Sequence, residues 1–545
     1  MYISKIHIEN FKGYKKFNLE FNKKMNIIVG DNEAGKSTLL EAVNLVLGGY
    51  INGKYLTKES LDQYLFNKEV VDDYLERVSK GEQLNPPHIL IEIFLKDETT
   101  HEELSGTSNY TKVKAEGLYL KICLKQEHQD GYDELLKNNR DLFKDSLPLE
   151  YYDIELYQFS GNPQMRLSLD LKSYLIDNSS NFQDASDLMI ARIIKSKLEE
   201  NEKLEAAQLH RQLKDVYTKN GKIYKAFQSH ILDPDISVSV DPSAKNSWDS
   251  HLSVFYRKIP FSYIGKGQQT VLKTDFSLSS KKSQEAGVIL IEELENHLSH
   301  SVLNQLIKRI EDSTDKQIII STHHSFVANK LNLENLILIN EREGLKFKDL
   351  DQETKNFFKK LPGYDTLRII LCKKAILVEG DSDELVVQKA YKDKFGSLPI
   401  EGKDGVDVVS IGTSFKRFIE ITKKINKPTA VIIDADKKIE SRKKDKKELD
   451  TSYIKLFFEE NDLYKGKLED YNNNTLEPLL LKYNSLAILN KVFKTYHEDD
   501  DKLLSYMKEN KTEYALKIFE SEEKLNYPKY ILDAISFVSK ENEQK

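Results

Sequence analysis

Three short stretches place residue types at spacings that chemistry can use. Gly30-Asp31-Asn32-Glu33-Ala34-Gly35-Lys36-Ser37-Thr38 fits G-x-x-x-x-G-K-[ST] and lies between a predicted strand and a predicted helix. The glycines let backbone N–H groups curl around phosphate oxygens, and the helix N-terminus adds its partial positive charge. Lys36 can reach β- and γ-phosphates while the Ser37 hydroxyl can ligate Mg²⁺, so the pattern points to ATP with a divalent ion. Val288-Ile289-Leu290-Ile291-Glu292-Glu293 is an apolar strand ending in two acids. Beside such a loop, Glu292 would support Mg²⁺ and Glu293 would polarise the attacking water. The third stretch is split. Val378-Glu379-Gly380-Asp381-Ser382-Asp383-Glu384 follows one strand, and Ala430-Val431-Ile432-Ile433-Asp434-Ala435-Asp436 ends another in D-x-D. Two acids one residue apart at a strand end are poorly tolerated without a cation, and Mg²⁺ or Mn²⁺ suits carboxylate oxygens. Together the halves could hold two ions roughly 3.5–4 Å apart, the arrangement that stabilises attacking and leaving oxygens in phosphodiester cleavage.

The elements that must position these groups read as α/β. Alternation through Tyr2, Ile3, Ile6, Ile8 and then Phe17, Leu19, Phe21 predicts a hairpin, and Met25–Val29 a buried strand leading into the glycine loop. A helix is expected from about Ser37 to Leu47, with strands at His88–Leu95, Leu118–Leu124 and Ile154–Phe159. From about Ser186 to Ile231 proline vanishes and apolar residues recur at helical spacing, which predicts two helices breaking near Asn220-Gly221. The α/β pattern resumes near Val254, with strands at Val288–Ile291 and Gln317–Ile320 flanking a helix around Ser301–Asp312. A polar link near Leu350–Thr366 precedes a second α/β unit that opens at Ala375–Val378. The expected division is an ATPase in two parts, 1–170 and 251–345, a helical insertion at 171–250 serving dimerisation, a linker at 346–371, and a metal-dependent unit at 372–545.

The first unit resembles the ABC-type ATPases of the RecF and SMC kind. IHIENFKGY followed by the glycine loop is similar to their N-terminal hairpin. Tyr263-Ile264-Gly265-Lys266-Gly267-Gln268-Gln269 resembles the signature loop, which implies that Gly265, Gly267 and Gln268 complete the ATP site of a second subunit. Ser321-Thr322-His323-His324-Ser325 resembles the switch segment, with His323 contacting the γ-phosphate. Gly265 occupies the usual serine position, Glu292 the usual aspartate, and Gln158 is the candidate Q-loop glutamine. The split acidic stretches, with the intervening Ile411-Gly412 turn, resemble a Toprim fold. An ABC ATPase followed by Toprim resembles the OLD (overcoming lysogenization defect) nucleases over nearly the whole chain. Glu292-Glu293-Leu294-Glu295-Asn296-His297-Leu298 is similar to that family's E-E-P-E-x-H-L run, with Leu294 in place of proline. Thr475-Leu476-Glu477 resembles its late metal-binding glutamate, and Asn510-Lys511-Thr512-Glu513-Tyr514-Ala515 its C-terminal lysine segment. The resemblance implies that Glu379, Asp383, Asp434, Asp436 and Glu477 hold metals and that Lys511 stabilises charge on the scissile phosphate. It further implies a homodimer or higher homo-oligomer, action on DNA, antiphage defence, and a partner such as a helicase or a reverse transcriptase with its DNA.

Composition limits the alternatives. A 545-residue chain is long enough for several cores, and its net charge of −7 argues against an overall basic nucleic-acid coat. Lys437-Lys438 and Arg442-Lys443-Lys444-Asp445-Lys446-Lys447 can still form a local phosphate-binding lip. Two cysteines, Cys123 and Cys372, cannot build a disulfide framework or a zinc site. The charged N-terminus and the lack of a spanning apolar run point to a cytoplasmic protein without a membrane partner. Toprim alone does not fix a reaction. A RecF-like ATP-gated clamp with a docking Toprim domain is the second expectation, and five converging carboxylates argue against it.

Overall fold

A computed structural model describes residues 1–31, 33–51, 54–138, 146–164, 171–178, 198–219, 255–312, 316–323, 333–340, 343–347, 350–360, 365–402, 405–435, 439–460 and 475–539. The chain divides into two compact units, residues 1–324 with 339–344, and residues 325–338 with 345–545.

Two six-stranded sheets dominate the first unit. Tyr2–Phe11 and Tyr14–Glu20 form the expected antiparallel hairpin. Ile89–Lys96, Ala115–Leu124 and Tyr152–Gln158 extend it, all antiparallel. The other sheet runs Ser173–Asp177, Val288–Glu292, Gln317–Thr322, Met25–Val29, Leu336–Asn340, Glu343–Lys346, and its first four strands are parallel. Every residue of Met25–Val29, Val288–Glu292 and Gln317–Thr322 is buried, as strands covered on both faces require. The helix Lys36–Gly48 touches strands of both sheets through its run from Leu39 to Leu47. Ser173–Asp177 lies in this central sheet, so the ATPase core reaches past residue 170, where an insertion was expected to begin. The strand pairs in register with the acid-ended strand, which fixes its membership. Within the expected insertion a helix spans Glu200–Lys219 and carries exposed Leu204, Leu209 and Leu213. The expected second helix lies outside the described residues.

In the second unit a four-stranded parallel sheet has the order Val406–Ser410, Lys374–Val378, Thr429–Ile432, Ile454–Phe457. The chain leaves Lys374–Val378 on one side for Val406–Ser410 and returns on the other at Thr429–Ile432. That reversal opens a crevice beyond the strand C-termini, where ligands of open α/β sheets bind. The helices Asp381–Phe395 and Lys529–Ser539 pack on the sheet. Leu476–Tyr483, Leu486–Phe493, Asp500–Glu509 and Lys511–Glu520 complete one apolar core with them. The expected polar linker contains two helices, Gln352–Lys360 and Asp365–Leu371. No described helix is long and apolar enough to cross a membrane.

Candidate functional site

The nucleotide loop is shaped by main-chain geometry. Gly35 has φ +103°, a conformation that L side chains rarely adopt, and a Cβ there would lie 2.7 Å from the Tyr14 hydroxyl. That hydroxyl, from the first residue after the hairpin turn, donates to the Gly35 carbonyl at 3.0 Å. A Cβ on Gly30 would come within 2.5 Å of the Ile339 carbonyl. The helix Lys36–Gly48 starts without a side-chain cap, leaving its first N–H groups for an anion. Lys36 Nζ donates to the Gly30 and Asp31 carbonyls at 2.9 and 2.8 Å. Burial lowers its pKa, opposed first by Glu293 and Asp31. Ser37 is exposed and Thr38 half-buried at the loop's end, while Asn32 lies outside the described residues.

The two acids take different positions. Glu292 ends its strand buried; desolvation raises its pKa, and a hydrogen bond from Ser37 opposes the rise. That contact puts a carboxylate on the hydroxyl expected to ligate Mg²⁺. Glu293 turns out of the strand at φ +49°, its N–H donating to the Ser321 carbonyl at 3.1 Å. Its carboxylate accepts from Asn296 Nδ2 at 2.7 Å and lies 3.9 Å from His323 Nδ1. His323 is half-exposed, 3.4 Å from Glu295. Glu293 and His323 therefore share one edge with Lys36, as the sequence suggested. His324 lies outside the described residues.

Three residues at this edge were not assigned from sequence. Glu295, buried, accepts from the Thr322 hydroxyl at 2.6 Å and the His323 N–H at 3.1 Å, so it ties the acid turn to the switch segment. Asn178 follows the strand that pairs with the acid-ended one and donates its N–H to the Glu292 carbonyl at 3.2 Å. Among the described residues its buried side-chain amide has no hydrogen-bond partner at either atom. Lys273, also buried, donates to the Asp177 carbonyl. Gln158, the candidate for a catalytic amide, instead donates to Gln164 at 2.6 Å at the end of an antiparallel strand. Strand adjacency places the Asn178 main chain beside Glu292.

Gly265 caps the signature helix Lys266–Leu278, and a Cβ there would meet nothing within 4 Å. A serine would fit, so sterics do not demand this glycine. Gly267 differs, since its Cβ would press within 2.5 Å of the His297 carbonyl. Gln268 is exposed, and Gln269 braces the loop through the Phe261 and Ile264 carbonyls at 2.9 and 3.0 Å.

In the second unit, Glu379 and Asp434 follow the ends of adjacent strands at the crevice. The turn at Ile411-Gly412 supports the first of these loops, with Gly412 at φ +62° donating its N–H to the Glu379 carbonyl at 3.1 Å. Asp383, in the first helical turn, accepts from the Gly380 N–H at 3.0 Å. Burial, then the charges of Glu477 and Glu379, push Asp383 up to about 7. Glu477 is buried at the start of its helix, with Lys511 Nζ 3.7 Å away. Tyr514 is wholly buried, and burial, with Glu477, Asp383 and Asp434 nearby, raises its pKa well above normal. Glu384 is not part of this set. It accepts the Ser410 N–H at 3.1 Å and faces Arg368 at 3.7 Å, a structural use that separates it from Glu379 and Asp383.

The structure thus brings Glu379, Asp383, Asp434 and Glu477 to one end of the sheet. Asp436, Lys437 and Lys438 lie outside the described residues. Among the described residues, no three acidic, histidine or cysteine side chains close into a finished metal site. The donor set nonetheless fits a hard divalent ion. Burial first, and then the neighbouring carboxylates, raise the Asp383 pKa, and Lys511 and Arg442 lie 3.7 and 3.5 Å from Glu477 and Glu379. Glu459 was not anticipated. Register places it level with Asp434 on the neighbouring strand's extension, and it is buried. No motif spacing marks it. The basic helix Ile439–Leu449 does not present a uniform lip, because Arg442 turns inward while Lys443 and Lys446 pair with Glu440 and Glu460 at 3.1 and 2.8 Å.

A parallel sheet carrying a phosphate loop and acid turn, joined to a Toprim-like sheet edged with carboxylates, defines an ATPase–Toprim protein. Residues 1–328 match the AAA ATPase domain family, and residues 370–436 match the Toprim domain of proteins like the overcoming lysogenization defect protein. The chain belongs to the AAA ATPase domain family and has the ABC ATPase plus Toprim architecture of the OLD family. It is 42% identical over 43 residues to a DNA replication and repair protein RecF from Clostridium acetobutylicum, covering 8% of this chain and 12% of that protein. A RecF of Clostridium kluyveri is 31% identical over 98 residues, 16% of this chain and 27% of that protein. The chain therefore spans well under a third of either RecF. A solved SMC head bound to the C-terminal winged-helix domain of ScpA covers 64% of this chain and 99% of its own at 16% identity, TM-score 0.33. A solved structure of the recombination mediator protein RecF with ATPrS covers 64% of this chain and 98% of its own at 11% identity, TM-score 0.32. The fold assignment rests on the sheet orders and the family matches.

Proposed function

We propose that the chain is an ATP-binding, divalent-metal-dependent endonuclease that cleaves DNA phosphodiesters, with the ATPase regulating the cut. The observation that carries this reading is the convergence of Glu379, Asp383, Asp434 and Glu477 at the crevice of the second sheet. Magnesium or manganese ions bound there would supply Lewis acidity to the phosphate and a hydroxide-like nucleophile. The four carboxylates, with Asp436, would hold the ions. Lys511, largely exposed beside Glu477, is placed to meet charge on the scissile phosphate.

In the ATP site, Lys36 and the uncapped helix hold the phosphates, Ser37 and Glu292 support Mg²⁺, and Glu293 orients water while His323 senses the γ-phosphate. Gly265, Gly267 and Gln268 complete the same site of a second copy, and the exposed leucines of Glu200–Lys219 support an oligomer. Domain limits follow the sheets: ATPase core to about residue 345, Toprim unit from about 372. Antiphage defence, with a helicase or reverse transcriptase partner, is the biological setting this architecture suggests.

The local RecF similarity favours a second reading, an ATP-gated DNA clamp with a non-cutting Toprim domain. Asp434→Ala separates the two: a nuclease loses cleavage and keeps DNA binding, whereas a clamp shows no cleavage to lose.

A further inference from the structure

Arg442 is a cation inside the carboxylate crevice. Its Nε donates to the Asp434 carbonyl at 3.2 Å, and its guanidinium lies 5.5 Å from the Phe415 ring centroid. The side chain is only 16% exposed. Its other end lies 3.5 Å from Glu379 Oε1 and 3.9 Å from Asp445 Oδ2, while Lys416 pairs with Asp445 Oδ1 at 2.7 Å. A committed arginine–carboxylate pair closes to about 2.7–2.9 Å and is often bidentate. The hold on Glu379 is therefore loose, while the tether to Asp434 and the Phe415 face is fixed.

We propose that Arg442 is an exchangeable counter-ion of the crevice: it pairs with Glu379 when no divalent ion is bound, and on metal binding it turns its guanidinium to the substrate phosphate. The proposal rests on the nuclease reading above. Electrostatics decides its sign. A positive charge beside a ligand carboxylate opposes a dication, and near a partly buried site that Coulomb effect exceeds the benefit of holding one rotamer in place. Once the ion neutralises Glu379, the fork of N–H groups still anchored at Nε matches a phosphate in the same crevice.

Full-length protein titrated calorimetrically with Mn²⁺, without nucleic acid, tests the first half. Arg442→Gln should bind Mn²⁺ roughly tenfold more tightly than wild type, while Arg442→Lys, which keeps the charge, should stay near wild type. Binding of a phosphorothioate duplex, which retains backbone charge and resists hydrolysis, tests the second. In Mn²⁺, Arg442→Gln should bind it several-fold more weakly, with Arg442→Lys in between. Metal-free melting of each variant checks folding. Unchanged or weaker Mn²⁺ binding by a folded Arg442→Gln overturns the exchange and leaves Arg442 a fixed brace. Tighter Mn²⁺ binding with unchanged duplex affinity overturns the phosphate contact. If Asp434→Ala leaves wild-type Mn²⁺ binding intact, the metal-site reading fails first and takes this proposal with it.

Discussion

In the nucleotide site the contacts that set geometry run through the main chain, whereas in the carboxylate crevice they run through side chains gathered from residues 379 to 511. Gly35, Gly30 and the uncapped helix need only one contiguous loop to cradle an anion. The crevice needs the ends of two strands, a helix start and one later helix to bring four acids together. A backbone site tolerates little change at its glycines and much at its neighbours. A side-chain site can lose one of its acids without unfolding, and its neighbouring carboxylates raise one another's pKa.

The sharpest way to break that contrast is Gly35→Ala. With φ +103° and the Tyr14 hydroxyl in the way, ATP binding should fall beyond detection, on the order of a thousandfold, while Mn²⁺ binding in the crevice is retained. Fluorescent-nucleotide titration beside Mn²⁺ calorimetry measures both. Glu295→Ala should come next. It leaves the Thr322 hydroxyl and His323 N–H without their buried acceptor, about 2–3 kcal/mol, enough to slow ATP turnover roughly 30- to 100-fold in a phosphate-release assay.

Asn178→Ala should reduce ATP turnover about tenfold with little loss of thermal stability, because the amide has no internal partner to lose. A large drop in melting temperature with normal turnover would instead make Asn178 a packing residue. The smallest effect belongs to the scaffold of the first unit. Burial pushes Glu92 up to about 7, against the hydrogen bond it accepts from the Tyr110 N–H. The folded pKa exceeds the unfolded one, so the native state binds the extra proton and stability falls as pH rises from about 4.5 to 7. Glu92→Gln should flatten that slope and gain roughly 1–2 kcal/mol above pH 7, read by urea melts across pH.

What could be read beforehand follows the same division. The hairpin, the Met25–Val29 strand, the loop and the helix after it form an unbroken local pattern, and the structure matches it within a residue or two. Glu379 and Asp434 were legible because each ends an apolar strand. Glu459 and Asn178 were not. Their positions come from strand register, Ile432 beside Phe457 and Asp177 beside Glu292, which no local spacing encodes. Arg442 sat inside a lysine-rich run that reads as a phosphate-binding lip, and only the Asp434 carbonyl and the Phe415 ring show that it turns inward. Leu294, where a proline was expected, is fully buried and earns its place by packing.

The central claim is that the crevice cuts nucleic acid using metal held by these acids. Plasmid cleavage in Mg²⁺ or Mn²⁺, with and without ATP, comparing wild type with Asp434→Ala, tests it most directly. The account predicts metal-dependent cutting by wild type that falls at least about a hundredfold in the variant, with DNA binding retained. Equal cutting by both proteins, or DNA binding without cutting by wild type under every one of these conditions, would contradict it.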